Sequence, residues 1–244
     1  MKILGIIPAR FASTRFPGKP LVQINGKTML QRVYEQAIQS NLLDEVLVAT
    51  DDDRIVEEVL RFGGKYVLTA STHISGTDRC AEVVTGVTGF DAVINIQGDE
   101  PYIDPMQIDL LASCFSDATV QLATLIKKID LEQDLFNENI PKVVLNNRDE
   151  AIYFSRQTIP FLRNIHKEDW LNQGEFYKHI GIYGYTVKAL LEITKLKPST
   201  LELAESLEQL RWIENGYRIQ TRVTNIETIA IDTPEDLNKI NGLI

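Results

Sequence analysis

Three cations, Arg10, Arg15 and Lys19, stand among small and turn-forming residues in the stretch Ile7-Pro8-Ala9-Arg10-Phe11-Ala12-Ser13-Thr14-Arg15-Phe16-Pro17-Gly18-Lys19-Pro20. An apolar run, Ile3-Leu4-Gly5-Ile6-Ile7, precedes them and stops at Pro8, as a buried strand stops at a turn. A strand that opens into a small, basic loop brings backbone N–H groups and fixed positive charge against a polyphosphate. The loop is not a Walker sequence, because Pro20 follows Gly18-Lys19 in place of Ser or Thr and Ser13 stands where the first glycine belongs. Nor does a G-x-G-x-x-G occur, which removes support for a dinucleotide-binding dehydrogenase. The competing reading is a solvated surface turn, and the concentration of cations directly after the first strand weighs against it.

Carboxylates form the second set. Asp99 in Gln97-Gly98-Asp99-Glu100-Pro101 and Asp232 in Ile231-Asp232-Thr233-Pro234 each follow an apolar run. Two such carboxylates beside a phosphate loop suit Mg²⁺, which takes one or two protein carboxylates and completes its shell with water and substrate phosphate. Taken singly, Asp99 reads equally as a turn former and Asp232 as the cap of a last helix. Ser75-Gly76-Thr77-Asp78-Arg79 offers hydroxyls, backbone donors and a charge, and is by itself an ordinary capped helix start. Arg156, after Ser155, could grip a carboxylate bidentately. His179, Tyr183 and Tyr185 alternate along one strand and share a side, which on the residues alone is a half-buried sheet face.

These groups need a scaffold, and the pattern supplies one. Thr28 caps a helix with Leu30, Val33, Tyr34, Ala37 and Ile38 on its apolar stripe. Residues 44–50 read as a strand, followed by a helix facing inward through Ile55, Val56, Val59 and Leu60. Residues 66–68 and 91–96 read as further strands, with a helix opening at Gly76 between them. Strand and helix alternate with short connections, so the strands should lie parallel with helices on both faces, and ligands bind beyond their carboxyl ends. The loops at 8–20, 50–53, 69–79 and 97–104 all fall on that edge. Later come expected strands at 120–126, 143–145, 151–154 and 178–185, and helices at about 187–195 and 204–214. Strands near 218–223 and 228–231 and a closing helix at 234–240 complete the reading. Between 157 and 176 the chain is loop-rich and Trp170 looks exposed. One domain over 1–244 with an excursion at about 145–186 fits best.

Composition bounds the partners. The chain has 244 residues, 44% hydrophobic, with a net charge of −9, which argues against a nucleic-acid binder. Cys80 and Cys114 lack metal-ligand spacing and read as reduced buried thiols of a cytoplasmic protein. Neither a signal peptide nor a membrane-spanning run is expected.

The loop Ile7-Pro8-Ala9-Arg10-x-Ala12-Ser13-Thr14-Arg15-x-Pro17-Gly18-Lys19-Pro20 resembles the signature of the cytidylyltransferases that activate acidic sugars. Gln97-Gly98-Asp99, Asp232-Thr233-Pro234-Glu235-Asp236, Ser75-Gly76-Thr77-Asp78-Arg79 and Ala49-Thr50-Asp51 are similar to segments of the same family, with Ile74 a small departure. His179-Ile180-Gly181-Ile182-Tyr183-Gly184-Tyr185 and Leu207-Glu208-Gln209-Leu210-Arg211 resemble those members that act on 3-deoxy-manno-octulosonate (KDO). The resemblance spans nearly the whole chain, with residues 125–145 and 157–176 adding little. It implies a Rossmann-like nucleotidyltransferase fold and the reaction of CTP with KDO to CMP-KDO and diphosphate, for lipopolysaccharide biosynthesis. It also implies a homodimer. The resemblance puts Pro8, Ala9, Arg10, Ser13, Arg15 and Lys19 at the nucleotide, together with Thr50, Asp51, Ser75, Gly76, Thr77, Arg79, Gln97 and Asp99. It puts Mg²⁺ on Asp99 and Asp232, and the sugar against Gln97, Arg156, His179, Tyr183, Tyr185, Glu208 and Gln209. Arg10, Lys19, Asp99 and Asp232 are the implied catalytic residues. Sialic acid as acceptor, or a nucleotide-binding domain without turnover, are the alternatives.

Overall fold

The structure is a computed structural model in which residues 1–12, 16–227, 230, 231, 233 and 235–237 are described. Strand β1 (Ile3–Ala9) is buried along nearly all its length and runs through Pro8 instead of ending there. Its ladder with the neighbouring strand at 92–95 stops at Ile6↔Asn95, so the missing N–H of Pro8 deprives no partner. After a tiny hairpin, β2 (Gln23–Ile24) and β3 (Lys27–Thr28), helix α1 (Met29–Ala37) starts where the Thr28 side chain accepts from the Gln31 N–H. Next come β4 (Glu45–Thr50), α2 (Asp53–Arg61), β5 (Tyr66–Leu68), α3 (Gly76–Gly86), β6 (Ala92–Asn95) and α4 (Pro105–Ser113). Each helix meets the sheet through a stripe at helical spacing, but Ile38 and Leu60, expected on those stripes, are exposed at the helix margins.

The second half contains β7 (Leu122–Lys128), α5 (Glu132–Leu135), the hairpin β8 (Lys142–Leu145) and β9 (Ala151–Ser155), α6 (Trp170–Gln173) and β10 (Tyr177–Thr186). It ends in α7 (Val187–Ile193), α8 (Thr200–Glu205), α9 (Gln209–Glu214) and β11 (Ile219–Val223). The strand order is β11-β7-β10-β6-β1-β4-β5, with β8 paired to β10 and β9 to β8. Pairings of β1 with β4 and β6, of β4 with β5 and of β11 with β7 are parallel, whereas β10 runs antiparallel between β6 and β7. This is a mixed, mostly parallel sheet with an apolar layer on each face. One layer gathers α1, α2 and α4, the other α3, α7 and α9.

Two elements depart from expectation for physical reasons. The helix expected over 204–214 is two, because Ser206 adopts a left-handed conformation at φ 52° and turns the chain between α8 and α9. Trp170, expected to be exposed, is 2% exposed: the loop-rich stretch folds back and buries it with Ile129, Leu135 and Phe176. Its indole N–H donates to the Ile165 carbonyl at 3.1 Å, so burial leaves no unmet donor. The expected strand at 228–231 and the closing helix at 234–240 lie partly outside the described residues.

Candidate active site

The carboxyl edge of β1 and β6 forms a cleft of about 220 Å³ lined by Pro8, Ala9, Arg10, Lys19, Gly76, Asn95, Gln97 and Asp99. Two glycines let the backbones close on one another. Gly18 sits at φ 72°, donates to the Phe11 carbonyl at 2.9 Å and so turns Lys19 back over the cleft. At Gly98 a Cβ would lie 3.1 Å from the Pro8 carbonyl oxygen, so a side chain there would push the carboxylate loop away from the cation loop. Lys19 Nζ meets Asp99 Oδ2 at 2.7 Å, and Arg10 donates to the Ser75 carbonyl at 3.3 Å. Ser75 in turn caps α3 in a reciprocal box with Asp78.

Arg79 and Asp51 hold this edge from beneath. Arg79 is completely buried, pairs with Asp51 at 2.9 Å and donates to the Thr69 hydroxyl. Burial lowers its pKa, while the Asp51 charge works against that shift. Thr50, also buried, accepts from the Asp52 N–H through its hydroxyl at 3.3 Å and from the Thr69 N–H through its carbonyl at 2.9 Å. These three residues brace the loops after β4 and β5 and do not line the cleft. Next to Asp99, the Glu100 carboxyl is buried, and burial together with the Asp99 charge pushes its pKa up to about 7.

A second polar cluster adjoins the cleft across the start of α3. Thr77 donates to Glu208 at 2.9 Å, and burial raises the Glu208 pKa. The hydroxyls of Tyr183 and Tyr185, the Gln209 Nε2 and the Asn95 Oδ1 are all buried without a hydrogen-bond partner. Burial, then neighbouring charge, holds both tyrosine pKa values far up. His179 lies against Tyr183, with ring centroids 5.1 Å apart, and its Nε2 is 3.0 Å from the Thr124 hydroxyl. Burial lowers its pKa to about 3, so the imidazole is neutral. A register shift between Ile180 and Tyr183 inserts Gly181 and Ile182 opposite Thr124, and the two extra residues keep His179, Tyr183 and Tyr185 on one side.

Arg156 is placed differently. Its guanidinium donates to the carbonyls of Glu205 at 2.7 Å, Glu138 at 3.1 Å and Ser206 at 3.4 Å, and it borders a separate cavity of about 550 Å³ walled by Phe136, Phe161 and Trp170. It therefore touches the turn that leads to Glu208 without lining the cation cleft. Ser13, Arg15 and Asp232 lie outside the described residues. Ile231, the residue before Asp232, donates its N–H to the Asp99 carbonyl at 2.9 Å. Sequence reasoning missed Asn95, whose signal is a lone amide in the apolar strand Val93-Ile94-Asn95-Ile96. It also missed Lys142, a cation at the start of a short strand with no sequence signal of its own.

A cationic cleft at the carboxyl edge of a mostly parallel sheet, beside a buried cluster of unpaired hydroxyls and amides, is the arrangement of an α/β nucleotide-binding fold. The family model described as cytidylyltransferase matches residues 4–226, and the chain belongs to that family. The 3-deoxy-manno-octulosonate cytidylyltransferase of Cytophaga hutchinsonii is 62% identical over 98% of this chain and 96% of its own length. That of Parabacteroides distasonis is 57% identical over 98% and 96%. Among solved structures, CMP:2-keto-3-deoxy-manno-octonic acid synthetase complexed with CTP superimposes with a TM-score of 0.92 at 42% identity, covering 100% of this chain and 98% of that one. A cytidylyltransferase from Leptospira borgpetersenii, at 17% identity and a TM-score of 0.65, shares the fold. No helix among the described residues is long and apolar enough to cross a membrane.

Proposed function

We propose that this protein is a KDO cytidylyltransferase, converting CTP and KDO to CMP-KDO and diphosphate, a step that supplies lipopolysaccharide biosynthesis. The observation that carries the reading is a juxtaposition: the cleft holding Arg10, Lys19 and Asp99 is lined at Gly76 and Asn95 by residues that adjoin the buried polar cluster of Tyr183, Tyr185, Glu208 and Gln209. A nucleotide triphosphate fits the first by charge and a sugar acid the second by hydrogen bonding. The oxygen of the sugar's anomeric hydroxyl bonds to the α-phosphorus, the bond from that phosphorus to the bridging oxygen breaks, diphosphate departs and the hydroxyl proton is released.

Crowded negative charge opposes this step, so placement and neutralisation provide most of the acceleration. Arg10 and Lys19 take the triphosphate and the departing diphosphate. Asp99, a hard oxygen donor facing the cleft, suits a divalent ion, and the Ile231 N–H on its carbonyl anchors the residue before Asp232 beside it. Asp99 and Asp232 would hold Mg²⁺, which when bound supplies charge neutralisation and alignment of phosphate oxygens. His179, with its pKa far below neutrality, serves as a hydroxyl partner and not as the base. Arg156 is assigned to the sugar carboxylate, reached from the 205–208 turn. A homodimer in the cytoplasm completes the reading; among the described residues β9 pairs along its length with β8 alone and exposes Ile152, as an edge awaiting a partner does.

Diphosphate release with CTP and Mg²⁺ tests the proposal, run in parallel with KDO, sialic acid and no sugar. Release with KDO alone, abolished by a chelator, is expected. Release with sialic acid in its place would keep the chemistry and overturn the acceptor, and no release with either would leave a nucleotide-binding domain.

A further inference from the structure

Asn95 closes β6, where it pairs with Ile6 of β1 on one side and Tyr183 of β10 on the other. It is therefore the last residue of β6 to lie between the strand carrying the cation loop and the strand carrying the tyrosines. It is 4% exposed, yet it lines the cleft. Its Oδ1 has no hydrogen-bond partner. A Cβ built on Gly76 would lie 3.7 Å from its Nδ2, so Gly76 borders the amide on the cleft side without a side chain to cover it. The Asn95 and Thr77 side chains also lie near enough to the Tyr185 hydroxyl to favour its ionised form, against the larger effect of burial.

A buried amide oxygen left unpaired is destabilising, because it gives up its hydrogen bond to water and receives none from the protein. An apolar side chain of similar size would continue the run Val93-Ile94 and pack against Tyr185. Such a group is explained by a donor that arrives with a ligand. Both substrates of the proposed reaction carry hydroxyls: the acceptor sugar, and the ribose of the nucleotide. Position favours the sugar, because Asn95 shares its side of the sheet with Tyr183 and Tyr185, where the Tyr183 hydroxyl is also buried without a partner.

We propose that Asn95 is a specificity-determining residue of the acceptor site, its side-chain oxygen accepting a hydrogen bond from a sugar hydroxyl at the boundary with the nucleotide cleft. The inference rests on the KDO cytidylyltransferase reading and adds to it a residue between the cation cleft and the tyrosine cluster. An amide fits this boundary better than a carboxylate, since a triphosphate and a sugar carboxylate must converge there.

The test uses the full chain with Asn95→Ala and Asn95→Leu, measuring steady-state kinetics in each substrate, thermal melting with and without CTP, and turnover of 2′-deoxy-CTP. The expected result is a rise of about tenfold in KM for KDO with KM for CTP within twofold, the size of one lost uncharged hydrogen bond. Asn95→Leu should melt close to the native chain, because it removes an unpartnered oxygen and its apolar packing offsets the lost interaction with Tyr185. A CTP-induced rise in melting temperature equal to that of the native chain shows that the variant is folded and its nucleotide cleft intact. A rise in KM for CTP that disappears with 2′-deoxy-CTP would assign the oxygen to the ribose and overturn the proposal. Unchanged KM values with a lowered melting temperature would make Asn95 a structural residue and overturn it as well. Failure of the native chain to turn over KDO would instead defeat the function on which the inference rests.

Discussion

Lys19 and Asp99 meet at 2.7 Å, with their side chains 15% and 26% exposed. In that partly wet setting the pair is worth at most about 1 kcal/mol to the fold. Its significance lies in what each member is poised to exchange: Lys19 for phosphate oxygen, Asp99 for a divalent cation. Asp99→Ala should therefore lower turnover by about a thousandfold or more while leaving the urea midpoint close to that of the native chain. Turnover within tenfold of native would reduce Asp99 to a counter-ion for Lys19. Arg10, Lys19, Gln97 and Asp99 were legible in the sequence because polar residues after an apolar run must emerge at a strand's carboxyl end. Arg79 was not, since no local pattern distinguishes a cation aimed into the cleft from one buried beneath it against Asp51. Asn95 escaped for the converse reason: an amide inside an apolar strand reads as part of the strand until its unpaired oxygen is seen.

Among the elements, the hairpin of β8 and β9 owes its position to a buried cation, Lys142, and a half-buried carboxylate, Glu205. The Lys142 ammonium donates to the carbonyls of Asn137 at 2.8 Å, Ile140 at 2.7 Å and Arg156 at 2.7 Å. Burial lowers its pKa, and hydrogen bonding to those carbonyls supplies the solvation that water would. The Glu205 carboxylate takes the Ser155 hydroxyl at 2.7 Å and the Arg156 N–H at 2.9 Å, so both backbone groups of Arg156 are gripped. Glu205 reaches them because the chain turns at Ser206. Lys142→Met leaves the carbonyls without their donor and should cost on the order of 3 kcal/mol in urea unfolding. It should also raise KM for the sugar acid while leaving KM for CTP near native. Lost stability without that split would confine Lys142 to holding the hairpin. The break at Ser206 was not legible, since neither Gly nor Pro marks it and the apolar positions continue across it. Trp170 was misjudged for a related reason: polar and turn residues around it describe the loop, not what the loop covers.

At the scale of the whole molecule, β10 is the strand on which sheet and site depend together. It is the antiparallel member between β6 and β7, a direction that alternation in residues 178–185 cannot reveal, whereas the parallel β1, β4, β5 and β6 followed from the strand–helix rhythm. Thr124 donates its hydroxyl proton to the Ile182 carbonyl at 2.7 Å, so its bond to His179 runs from the Nε2–H to the hydroxyl oxygen, and Nδ1 is left as the acceptor. Protonating Nδ1 would place a charge beside Phe154 and Tyr183, which is why burial takes the pKa from 6.5 to about 3. In the unfolded chain the imidazole recovers its ordinary value. Between pH 6.5 and about 3 the unfolded state therefore binds a proton that the folded state refuses, and stability falls as the medium is acidified through that window. Above pH 6.5 both states are neutral at this residue and it contributes no slope. From pH 6.5 to 5 the loss attributable to His179 is on the order of 2 kcal/mol. His179→Gln keeps a donor for Thr124 and removes the titration, so its urea midpoint should fall less than that of the native chain over the same interval. Equal falls in the two proteins would mean that His179 takes up its proton without cost while folded, and that water reaches its ring freely.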